Sequence, residues 1–151
     1  MQTDKIDRAI LTQLQDDGKL SNVDLSNLVG LSESACLRRV KRMETEGIIT
    51  QYTAIVSAKT IGLTSSVFIR VSLQSQQEEK LKRFEQAVQN VREVMECYLM
   101  SGEVDYMLRV IVRDGQDYER VHNILTALPE VARVHSSFAL RNVIRRTHLP
   151  L

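Results

Sequence analysis

Along the first third of the chain, apolar residues return every three or four positions; beyond residue 65 they gather instead in short runs rich in β-branched and aromatic side chains. In "DKIDRAILTQLQDD", Ile6, Ile10, Leu11 and Leu14 share one helical face, and Gly18 ends the segment. "SNVDLSNLVG" predicts a second helix with Ser21 as N-cap, an apolar face of Val23, Leu25, Leu28 and Val29, and Gly30 as terminator. A third helix runs from an N-cap at Ser32 to a stop at Gly47, with Cys36, Val40 and Met43 inward. "IITQYTAIV" then has the composition of a strand, placed like a wing.

The second half follows a different pattern. "SVFIRVSL" reads as a strand and "EEKLKRFEQAVQNV" as a helix with Leu81, Phe84, Val88 and Val91 inward. "EVMECYLMS" and "VDYMLRVIV" are strands, "GQDYERVHNILTAL" a helix and "EVARVHSSFALRN" a last strand, giving β-α-β-β-α-β. A faint internal repeat, "FIRVSL…NVREV" against "MLRVIV…LPEVARV", fits that plan. Phe68 and Ile69, or Cys97 and Tyr98, cannot all face the same two helices, so the other sheet face is expected to pack against a second copy of the chain. The fold class is therefore α+β. A helix-turn-helix unit over residues 1–54 precedes a polar linker strand or hinge over 55–65 and an αβ sandwich over 66–151.

Composition narrows the class without naming a function. The chain has 151 residues and a formal net charge of +1, which favours no partner by itself. No apolar run approaches membrane-spanning length, and the N-terminus lacks the basic-then-apolar order of a leader, so the chain is expected to stay where it is made. Cys36 and Cys97 stand in periodic apolar segments and read as small buried hydrophobes in a reducing compartment. His122, His135 and His148 have no metal-ligand spacing; His122 reads as a helix-face residue and His135 as a structural one. No nucleophile-elbow, phosphate-loop or dinucleotide motif is present, which argues against an enzyme.

Two stretches carry candidate chemistry. "RRVKR" makes four of the five residues from Arg38 to Arg42 basic, on the second helix of a helix-turn-helix. Lys and Arg there neutralise phosphates, while short polar side chains near the helix start reach base edges. This assigns Ser32, Glu33, Ser34, Leu37, Arg38, Lys41 and Arg42 to a double-stranded DNA interface. In "SGEVDY", Gly102 suits a hairpin turn, but Glu103 and Asp105 two apart fit solvated carboxylates, a catalytic pair, a metal site or a pocket for a cationic group.

"GLS", "CLRRVKRME", "GIITQYTA" and "CYLMSGEVDYMLRV" closely resemble motifs of the Lrp/AsnC (feast/famine) transcription regulators, and the resemblance covers nearly the whole chain. It implies a winged-helix-like DNA-binding domain and a ferredoxin-like domain. It also implies cytoplasmic, nucleoid-associated homodimers that assemble further, commonly to octamers, and an amino-acid effector bound between C-terminal domains of adjacent dimers. Gly102 and Asp105 match the family's Gly-x-x-Asp pattern, with Asp105 facing the effector's ammonium and main-chain donors near Gly102 facing its carboxylate. Tyr98, Met100 and Val104 are expected to line the pocket, together with Val134 and Ser136, where related sequences often carry threonines. Valine at 134 favours an apolar effector, leucine or methionine; no cofactor or metal is implied. Ser26, where alanine is frequent, is small enough to leave the fold unaffected. The competing reading is an effector-independent architectural DNA-binding protein whose C-terminal domain only oligomerises.

Overall fold

The computed structural model describes residues 3–151, which divide into two units: the chain up to Ile55 joined by Val143–Leu151, and Val56–Asn142. In the first unit three helices, α1 (Lys5–Asp16), α2 (Asn22–Val29) and α3 (Glu33–Thr45), enclose Ile10, Leu25, Cys36 and Met43. Each starts on a side-chain cap that satisfies backbone donors left free in the first turn. Asp4 and Asp7 form a reciprocal capping box on α1, Ser21 caps α2, and Ser32 caps α3. Gly30 closes α2 at φ 69°, a left-handed conformation that favours glycine, and turns the chain into α3. Val23 and Leu28, expected on the inner face of α2, are exposed; an eight-residue helix here turns only Leu25 and Ser26 fully inward.

A charged clasp holds α1 to α3. Asp7 is buried, and Arg39 Nη1 donates to its Oδ1 at 2.8 Å and to Asp4 Oδ2 at 2.7 Å, while Arg42 Nη2 donates to Asp7 Oδ2 at 2.5 Å. Burial works against the charged form of Asp7, but the bonds from Arg39, the Asp4 amide and Arg42 outweigh it and hold the carboxyl below the usual range.

The wing-like strand expected over "IITQYTAIV" does not form. Residues 51–57 have no ladder partner, and β propensity makes no strand without one. Tyr52 instead lies against Gly18 and donates to Glu44 Oε1 at 3.0 Å. The linker, expected as strand or hinge, is a turn from Ala58 to Gly62. The last nine residues belong with the first unit: Gln15 donates to the Leu149 carbonyl and accepts from its amide at 2.6 Å, and His148 lies 3.3 Å from Asp16.

The second unit is a four-stranded antiparallel sheet, β1 (Ser65–Leu73), β2 (Val94–Leu99), β3 (Tyr106–Val112) and β4 (Val131–Phe138), in the order β2-β3-β1-β4. Helices α4 (Glu78–Val88) and α5 (Gly115–Thr126) complete the expected βαββαβ order. Register sets the faces: Val67, Ile69 and Val71 pair with Val110, Leu108 and Tyr106, and all six are buried together with Phe84, Val88, Val121 and Leu125. Residues of opposite parity, among them Phe68, Arg70 and Ser72 on β1 and Met107, Arg109 and Ile111 on β3, form the other face. That face is mixed, with apolar Phe68 and Tyr98 among charged neighbours. Cys36 is buried, as expected, but Cys97 lies on edge strand β2 and is exposed.

The clasp has a pH signature. Asp7, like Asp117 (lowered to about 2 by the Arg113 backbone amide and by Arg120), has a folded pKa below the unfolded value of about 3.9. Its contribution is complete above that value and is lost as pH falls through the folded pKa. Asp7→Asn is expected to lower stability by about 1.5–3 kcal/mol at neutral pH. Its melting temperature, followed by circular dichroism, should fall less than the parent's between pH values of about 4 and 2.

Candidate functional site

The α3 surface separates its basic residues by use. Buried Cys36 and Met43 fix the inner face, leaving Ser34, Leu37, Arg38, Lys41 and Thr45 exposed at intervals of three and four, one continuous outer stripe. Among the described residues no carboxylate lies within ion-pair distance of Arg38 or Lys41, so both cations are available to an outside anion. Arg39, read as a flank residue, and Arg42, assigned to DNA from sequence, are engaged with Asp4 and Asp7; Arg42 keeps 43% of its side chain exposed. Ser32 Oγ accepts from the Ala35 amide and lies 3.4 Å from Ser34 Oγ, and Glu33 is exposed in the first turn. Asn22 Nδ2 donates to the Glu33 carbonyl at 2.9 Å, tying the start of α2 to the start of α3. That positioning contact joins residues eleven apart, and no spacing rule pointed to it.

The second candidate is the turn between β2 and β3. Gly102 has φ 136°, in the region open to glycine, although a side chain there meets nothing within 4 Å. Constraint at this position is conformational rather than steric. The Met100 amide donates to the Asp105 carbonyl at 2.8 Å and closes the hairpin. Asp105 is only 7% exposed. Its Oδ2 accepts from the Leu73 amide at 2.7 Å and its Oδ1 from Gln76 Nε2 at 2.8 Å, so it pins the end of β1 and the approach to α4. Sequence alone portrays Asp105 as a turn carboxylate of little consequence to the core; its burial and its Leu73 bond correct that. Each oxygen keeps a further acceptor position for a ligand donor.

Met100, Gly102, Val104 and Asp105 thus come together. Tyr98 pairs with Met107 on the open sheet face and donates to Glu96 Oε2 at 3.0 Å, which raises its phenol pKa. Val134 and Ser136 are elsewhere: both turn toward the helices, Val134 packing against the core and Ser136 Oγ bonded to the Tyr118 hydroxyl. Their strand β4 is the edge opposite β2, with β3 and β1 between. At about 4.8 Å per strand, roughly 14 Å separates the two edges. One chain does not bring all seven effector candidates around a single small ligand. Among the described residues no group of three or more His, Cys, Asp or Glu side chains is arranged to hold a metal ion.

Comparison with known proteins places these two surfaces in context. Residues 66–149 match the Lrp/AsnC ligand binding domain, and residues 3–50 match a winged helix-turn-helix DNA-binding family. The chain belongs to the Lrp/AsnC family. It is 44% identical to the Bkd operon transcriptional regulator of Pseudomonas aeruginosa over 98% of this chain and 97% of that protein. Identity to the leucine-responsive regulatory protein of Escherichia coli is 37%, over 97% and 90% respectively. Among solved structures, a Neisseria meningitidis transcriptional regulator in complex with L-methionine superposes with a TM-score of 0.92 at 37% identity, covering 99% of this chain and 97% of that one. This Lrp/AsnC chain is therefore a transcription regulator with a DNA-binding helix-turn-helix unit and a ligand-binding domain.

Asp105→Ala leaves the Leu73 amide without its partner in a buried setting and is expected to destabilise by about 1–3 kcal/mol in urea unfolding. Asp105→Asn, which keeps an acceptor oxygen, should recover much of that loss.

Proposed function

We propose that this chain is an amino-acid-responsive regulator in which α3 reads double-stranded DNA and the turn from Met100 to Asp105 receives a small apolar amino acid, leucine or methionine. The observation that carries the DNA half is the outer stripe of α3. It combines Arg38 and Lys41, which have no ion-pair partner among the described residues, with Ser34 and Leu37, while the clasp through Asp7 holds the helix against α1. Ser32, Glu33 and Ser34 stand near base edges; Arg38 and Lys41 contact phosphate, and Arg42 does so from its place beside Asp7.

In the effector half, Asp105 accepts from the ligand ammonium while still holding Leu73, and Gly102 admits the carboxylate to the backbone. Tyr98, Met100 and Val104 face the ligand side chain. In this reading Val134 and Ser136, on the far edge strand, come from a second chain, and the pocket lies between adjacent dimers. The open sheet face, with exposed Phe68, packs against a second copy, and dimers assemble further, to an octamer, through the effector-bearing surfaces. No catalytic residue, metal or cofactor enters this reading. No helix among the described residues is long and apolar enough to cross a membrane, and the protein acts in the cytoplasm, associated with the nucleoid.

Fluorescence anisotropy at several salt concentrations tests the DNA half. Arg38→Ala and Lys41→Ala should each weaken binding to all sequences and reduce the log-log salt slope by about one unit. Ser34→Ala should change sequence preference, and Arg42→Ala should lower both affinity and melting temperature. Unchanged affinity in an Arg38→Ala/Lys41→Ala double variant overturns the assignment of α3. Calorimetry tests the effector half: Asp105→Asn should bind leucine or methionine roughly ten- to a hundred-fold more weakly than the parent. No binding of any amino acid by the parent favours the architectural reading.

A further inference from the structure

The face of the sheet away from α4 and α5 carries a recess that shares only Val104 with the effector reading. It measures about 380 Å³ and is lined by Arg70, Ser72, Glu103, Val104, Arg133 and His135. Strand register assembles it. Arg70 on β1 stands directly opposite His135 on β4, and Ser72 directly opposite Arg133, so alternation sends all four side chains to the same face. Directly opposed residues in an antiparallel pair have Cβ atoms about 4.5–5.5 Å apart, so each arginine stands within reach of a polar partner across the ladder.

Several other arginines of this unit have counterions, although Arg92 and Arg141 have none among the described residues. Arg109 bonds Glu96, Arg120 bonds Asp117 and Glu93, and Arg83 bonds Glu79. Among the described residues neither Arg70 nor Arg133 has a carboxylate within ion-pair distance, and Glu103 is the sole acid in the lining. Two guanidinium groups, an imidazole and a hydroxyl therefore converge on one recess with a surplus of positive charge. Arginine's planar fork matches paired anionic oxygens, and Ser72 adds a neutral donor. The volume falls within the range of small-molecule sites, about 300–1,000 Å³.

We propose that this recess is a binding site for a small anion presenting two or more negatively charged oxygens, held by Arg70 and Arg133 with His135 and Ser72. Phosphate and dicarboxylates share that chemistry. Asp105, next to Val104 in the chain, is not among the residues that line the recess. Resting on the reading that a second copy covers this face, the bound anion would also neutralise charge that otherwise opposes that packing, so ligand and assembly are linked.

The test is calorimetry of the full-length protein in chloride buffer, with inorganic phosphate in one arm and succinate in the other. The parent, Arg70→Ala/Arg133→Ala and the surface control Arg92→Ala are compared. The parent should bind at least one of the two anions, with perturbation of the His135 imidazole resonances by NMR, and the stronger arm identifies the ligand class. The double variant should lose ten-fold or more in affinity with an unchanged circular dichroism spectrum, and Arg92→Ala should match the parent. No binding of either anion at millimolar concentration overturns the proposal, as does equal affinity in the double variant. Sedimentation in the same solutions reads assembly separately: anion binding without a shift toward the dimer removes the linkage and leaves the site.

Discussion

A β-strand has two faces, and this chain has helices for only one of them. That constraint organises the second unit. Once Val67, Ile69 and Val71 on β1 and Tyr106, Leu108 and Val110 on β3 are committed to α4 and α5, every residue between them is turned outward. Phe68, Arg70, Met107 and Arg109 are on the open face because of their neighbours, not by any preference of their own. A one-residue slip of β1 would exchange its two sets and put Arg70 into the core, and a slip of β3 would do the same with Arg109, so the burial of the apolar set fixes the register firmly. Both the open sheet surface and the basic recess are consequences of how the core is filled.

In the first unit the comparable constraint is a charge. Asp7 is buried and ionised, and it is tolerable there because two guanidinium groups and a backbone amide converge on it. The same contacts that make the buried carboxylate acceptable hold α3 against α1. Half the basic residues of "RRVKR" are thereby spent on architecture, and Arg38 and Lys41 are left for an external anion. A cluster that looks uniform in sequence is divided by the fold into two roles.

Asp105 shows the same economy in a single side chain. It closes the end of β1 through Leu73, reaches Gln76 ahead of α4, and still has acceptor capacity for a ligand. In the proposed site, an ammonium that bonds Asp105 would also bear on the junction between strand and helix.

Helix periodicity, capping residues and the βαββαβ order were determined by sequence alone, since each depends on contacts within a few residues or on the simple count of faces. Ser21, Ser32 and Gly30 cap as their residue types require, and Phe84, Val88 and Val91 lie inward as their spacing requires. Motif resemblance likewise located α3 and the turn at Gly102. Tertiary structure decided what local pattern could not. It left residues 51–57 without a strand partner and returned Leu149 to Gln15. It also turned Val134 and Ser136 toward the helices and buried Asp105. Each of these depends on partners distant in sequence, and a strand, an ion pair or a pocket exists only once its second half has been brought to it.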